Sequence, residues 1–155
     1  MIQRIQSLYL LVVAVLIAFI GIYPFAEILK TSDLSLYTLG VKGLLPDDGT
    51  FTEPLFTVTP VIVLASVSLV LALVAIFLYK KRMLQIRLCV FNIVLLVGLQ
   101  GLMYYYITAA TGTIEGESSF GVVFIFPLVS AILSFLALRA IAKDEALVRS
   151  LDRLR

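Results

Sequence analysis

The side chains able to do polar chemistry at membrane depth are few in this chain. Asn92 and Gln100 stand in one long apolar run, Ser66 and Ser68 in another, and Ser130 and Ser134 in a third. Asn92 and Gln100 are eight residues apart, a little over two helical turns, so they fall roughly on one helix face. Such a face serves in one of two ways. It lines a polar groove for a ligand or a partner's helix, or it hydrogen-bonds to neighbouring helices as glue. The second is the plainer reading, because polar residues in apolar helices commonly bond across helices, at an average of about 0.6 kcal/mol.

Catalytic chemistry is harder to find. The chain has no histidine and one cysteine, Cys89. Histidine is the commonest metal ligand and the usual proton-transfer group near neutral pH. Cys89 opens an apolar run and reads as an inert buried thiol. No G-x-S-x-G or metalloprotease pattern is present. Asp47 and Asp48 form the tightest carboxylate pair, but Pro46-Asp-Asp-Gly49 reads as a tight turn without calcium-loop spacing. No enzyme activity, cofactor, metal or nucleic-acid partner is therefore expected. No ionisable residue falls in the middle of a run. Arg139 is the nearest, and it can snorkel to an interface. A proton relay or ion-coupled pump normally places charge at depth.

The elements that carry these residues follow from hydropathy. The chain has 155 residues, 61% of them hydrophobic, with a mean hydropathy of +1.10. A soluble domain is usually ~45–50% apolar. Four apolar runs are each long enough for the ~20 residues that cross ~30 Å of hydrocarbon. They cover about residues 7–26, 57–79, 88–110 and 120–142. The first outlasts a signal-peptide core and lacks an A-x-A-like cleavage site, so it reads as a retained span. Thr57 or Thr59 is expected to cap the second helix, with Pro60 in its first turn. Tyr104, Tyr105 and Tyr106 suit the membrane boundary, and Pro127 is expected to kink the fourth span.

Residues 29–56 make the longest loop. Leu34–Leu39 alternates with period two and predicts a strand, interrupted by Gly40 and Gly43. With a turn at residues 46–49 and a return strand at Thr50–Thr52, this predicts a small β-hairpin. Residues 111–119 are expected to be a short loop. The tail, residues 143–155, has helical spacing of Leu147, Leu151 and Leu154. It extends the fourth helix or lies on the headgroups.

Orientation follows from charge. One side holds ten basic and three acidic residues, a formal charge of +7; the other holds two basic and seven acidic residues, −5. The positive-inside rule then puts both termini in the cytoplasm and the hairpin outside. The expected fold is an all-α membrane protein, a four-transmembrane-helix bundle with N-in/C-in topology and a small extracytoplasmic β-hairpin, forming a single domain. Arg4, Arg139, Lys143, Arg149 and Arg153 lie on the basic side and form a candidate docking or lipid-contact surface. Leu71–Ile76 and Leu136–Ile141 are similar (LALVAI and LALRAI), which fits either two parallel hairpin repeats or chance.

The two ends carry a resemblance. The opening Met1-Ile-Gln-Arg-Ile-Gln-Ser-Leu-Tyr-Leu10 and the closing run from Leu136 to Arg155 resemble an uncharacterised family of four-helix inner-membrane proteins from Bacteroidota. The resemblance implies a location in the bacterial inner membrane and a topology, and it supplies no reaction. The function expected from all this is a non-catalytic accessory or scaffold subunit of a larger inner-membrane complex, in translocation, envelope biogenesis or respiratory assembly. The alternative is a small transporter or lipid-handling protein that uses the face at Asn92 and Gln100. Membrane lipid and a membrane-protein partner are the expected contacts, and homo-oligomers are compatible with them.

Overall fold

A computed structural model describes residues 3–47, 57–79 and 81–152, excluding the side chains of residues 3, 4 and 148–152. Among these residues the chain is mostly helical, with four α-helices and a four-stranded sheet. The order is α1 (Gln3–Ile20), β1 (Ala26–Lys30), β2 (Leu36–Gly40), β3 (Gly43–Pro46), α2 (Thr59–Phe77), α3 (Arg82–Ile114), β4 (Gly116–Phe120), a 3-10 turn (Val122–Ile125) and α4 (Phe126–Asp152).

The helices form a closed ring. α1 packs on α2 and α4, and α3 packs on α2 and α4. Thr59–Phe77, Arg82–Ile114 and Val122–Leu147 are long and apolar enough to cross a membrane, and Ile5–Ile20 is a shorter apolar helix. Inside the ring, Val13, Ile17, Ala65, Ala72, Leu96, Leu99 and Ala131 are buried. Outside it, Leu8, Leu11, Val63, Val70, Val94, Val97, Ile132 and Phe135 are exposed. Apolar residues thus face both inward and outward, which is the pattern of helices meant for an apolar solvent.

Helix ends depart from expectation in physically legible ways. α1 stops at Ile20, ahead of Gly21 and Pro24, and Ala26 opens a strand instead of closing the span. α2 is capped by neither Thr57 nor Thr59. Val58 is its N-cap without a side-chain bond, and Pro60 stands in the first turn, where no amide hydrogen is needed. Pro127 does not kink α4 from within. It is the second residue of that helix, and its missing donor is again free of cost there. α3 continues past residue 110 to Ile114, and the expected loop becomes β4. The tail extends α4 as helix through Asp152.

The small hairpin is corrected to an antiparallel sheet of order β3-β2-β1-β4. Gly40 and Gly43 do not break a strand; they pair across the turn that joins β2 to β3. Gly43 has φ 107°, a conformation that a side chain disfavours. The return strand is therefore Gly43–Pro46. Thr50–Thr52, the expected return strand, lies outside the described residues. β4 comes from the α3–α4 connection and pairs with β1 in the register Lys30↔Gly116 to Ala26↔Phe120. Alternation puts Ala26, Ile28, Leu39 and Leu44 inward, all fully buried, in one core with Phe25, Met103, Ile107, Ala110 and Val123. The sheet therefore closes one end of the ring and is continuous with its core.

Candidate functional site

Three polar side chains, Ser68, Asn92 and Ser134, meet or level with one another inside the ring. Ser68 of α2 donates to the Asn92 side-chain oxygen of α3 at 2.6 Å, and both residues are buried. Arg82 of α3 and Asp144 of α4 are joined at the far end by a 3.4 Å bond from the guanidinium to the Asp144 backbone carbonyl. Asn92 lies ten residues along α3 from Arg82, and Ser134 lies ten residues back along α4 from Asp144. Equal steps of ~1.5 Å put Asn92 and Ser134 at one level, ~15 Å from that bond.

Ser134 and Ser130 are each fully buried, and among the described residues neither hydroxyl has a hydrogen-bond partner. The Asn92 Nδ2 donor and the Gln100 Oε1 acceptor are also buried without partners among the described residues. Gln100 is only half-buried as a residue. Eight residues turn a helix about 80° beyond two full turns, which swings Gln100 away from the line of Asn92. The exposed Ser66 faces a lateral groove and not this layer.

The end opposite the sheet holds a second polar group. The Gln6 amide donates to the Asp144 carboxylate at 3.0 Å, tying α1 to α4, and Gln6 and Gln85 are both buried. Arg139 and Lys143 are exposed on α4. The side chains of Arg4 and Arg149, and all of Arg153, lie outside the described residues. The first and last segments of the chain thus meet at one end, which sequence reasoning suggested only as a shared side. Gln6 and Asp144 were not singled out there. The signal available was a polar residue in each terminal motif.

Two hollows occur near the sheet. One, of about 280 Å³, lies between α1 and α2 and is lined by Ile17, Ala18, Ile62, Ala65, Ser66 and Leu69. The other, of about 160 Å³, lies where Tyr23 and Pro24 approach Thr38 and Lys42 of the β2–β3 hairpin. Gly21, Ile22 and Val41 line both. Neither hollow includes Asn92 or Gln100 in its lining. Among the described residues, no three His, Cys, Asp or Glu side chains gather in a metal-binding arrangement.

A ring of apolar helices, three of them long enough to span, with a polar layer inside and a sheet over one end, defines a protein built for a membrane. The chain belongs to the family described as a domain of unknown function, DUF4293, whose model matches residues 2–154. A search of curated proteins finds no match to the chain.

Proposed function

We propose that the protein is a non-catalytic scaffold subunit of a larger inner-membrane complex, crossing the membrane four times with both termini in the cytoplasm. The observation that carries this reading is the Ser68–Asn92 bond. It turns the central polar group of α3 inward, onto another helix of the same ring. The faces left outward are apolar, suited to lipid and to the helices of partner proteins. Support for four spans comes from length. The 18 residues of α1 make ~27 Å of helix, close to the ~30 Å of hydrocarbon. Support for orientation comes from charge. Lys81, Arg82, Arg87, Arg139 and Lys143 gather opposite the sheet, while Glu27, Asp33, Asp47, Glu115 and Glu117 gather around it.

The test is purification from the native membrane in mild detergent, with mass spectrometry of what remains bound. A stoichiometric larger complex is expected. Recovery as a lone monomer or homo-oligomer would overturn the scaffold reading.

A second reading, a small transporter, is favoured by one observation: the unpartnered buried atoms of Asn92, Gln100, Ser130 and Ser134. Water or a small polar solute would satisfy them. With Cys89 replaced by alanine, Ser134→Cys in vesicles would react with a water-soluble thiol reagent if the layer is wet. It would stay unmodified if the layer is dry.

A further inference from the structure

We propose that the adjoining hollows between α1, α2 and the β2–β3 hairpin seat one anionic phospholipid, with an acyl chain in the helix groove and the phosphate beside Lys42. The proposal rests on the reading that α1 and α2 lie in a membrane. The two hollows adjoin, sharing Gly21, Ile22 and Val41 in their walls. Its helix portion is apolar, lined by Ile17, Ile62 and Leu69. An apolar groove of this kind is filled by hydrocarbon more readily than by water. At about 280 Å³ it is slim for a partner helix, which is ~10–12 Å across, and it suits a chain.

The other portion is the more polar of the two and lies at the sheet, at the ends of the helices, where headgroups belong. Lys42 and Thr38 line it, together with the backbone of the hairpin turn. The surrounding end of the molecule is acidic, yet among the described residues no carboxylate lines either hollow. Lys30 is paired with Asp33 at 2.8 Å, whereas among the described residues no carboxylate pairs with Lys42. A positive charge at the mouth of an apolar groove matches an amphiphile with a phosphate head. A basic residue near the surface favours anionic lipid by about fivefold in binding.

The test uses the purified full chain, stripped of lipid in detergent and titrated with phosphatidylglycerol or phosphatidylcholine, with bound lipid counted by native mass spectrometry. No partner protein is needed, so failure here is distinct from failure of the scaffold reading. One phosphatidylglycerol per chain is expected, bound about fivefold more tightly than phosphatidylcholine. Lys42→Gln is expected to erase that preference. Ala18→Phe, which fills the groove from its exposed rim, is expected to lose both lipids. Ser66→Phe repeats the test from α2 should the first variant fail to fold by circular dichroism. Equal binding of the two lipids to the unaltered chain would overturn the proposal, as would variants that bind like it or lipid uptake without saturation.

Discussion

Gln6 and Asp144 are 138 residues apart in the chain and joined side chain to side chain at 3.0 Å. The bond ties the start of α1 to the end of α4 and completes the ring of helices at the end opposite the sheet. Asp144→Ala leaves the buried Gln6 amide with a lost acceptor, and an unmade bond of that kind costs about 1–3 kcal/mol. The expected result is a lower unfolding midpoint in detergent, with Gln6→Leu/Asp144→Ala recovering part of the loss. Additive losses in the double variant would contradict the pairing.

The Ser68–Asn92 bond sets a second expectation. Coupling between such groups in membrane proteins averages about 0.6 and reaches about 1.7 kcal/mol. At 2.6 Å and full burial, this pair belongs in the upper part of that range. A double-mutant cycle with Ser68→Ala and Asn92→Leu measures it. Zero coupling would show that the two groups act separately.

Gly116 sits where a side chain has no room. A Cβ there would clash with the carbonyl oxygen of Leu29, across the β4–β1 pairing. Because the obstacle is backbone, it cannot turn aside. Gly116→Ala is expected to destabilise by about 1–3 kcal/mol. Hydrogen exchange should then quicken in β4 and β1 before it does in α2.

Glu115 ends α3 in a left-handed conformation, with φ 53°. That conformation costs an L-residue roughly 1–2 kcal/mol, and glycine is the residue that adopts it freely. Glu115→Gly is expected to raise thermal stability by up to about 1 kcal/mol. A fall would show that the Glu115 side chain contributes more than its backbone strain costs.

The exposed Lys30–Asp33 pair makes a pH prediction. The hydrogen bond and charge of Lys30 hold the Asp33 carboxyl below its ordinary 3.8, and Asp33 holds the Lys30 ammonium above 10.5. The Asp33 contribution is therefore present above its unfolded value and fades as pH falls through the lowered one. The Lys30 contribution is present below its unfolded value and fades as pH rises through the raised one. Both groups face solvent, so the effect on stability is small. Carboxyl NMR should show Asp33 titrating lower in the parent chain than in Lys30→Ala.

Several local features were legible because their causes are local. The apolar runs marked the helices, Pro60 marked a first turn, and alternation through Leu34–Leu39 marked most of β2. Asn92 was legible as a polar residue at depth, but its partner was not. Ser68 and Ser66 are two residues apart on one helix and look alike in sequence; the packing of α2 on α3 buries the first and leaves the second at a lateral groove. The position of Pro127 was not legible, because the apolar run begins at Phe120 while the helix begins only at Phe126, after a 3-10 turn.

Composition and charge order determined, without any structure, that most of this chain is apolar helix and that the two sets of helix ends carry opposite charge, the termini sharing the basic one. Those properties are sums over neighbouring residues, and they need no contact to be read. The strand order β3-β2-β1-β4 was decided only by the tertiary structure. Gly116-Glu-Ser-Ser-Phe120 has little strand character of its own, being polar and glycine-led. It becomes a strand because α3 delivers it beside β1, whose edge offers backbone groups that need partners. The same holds for the bond between Gln6 and Asp144, which exists only once four helices have closed into a ring.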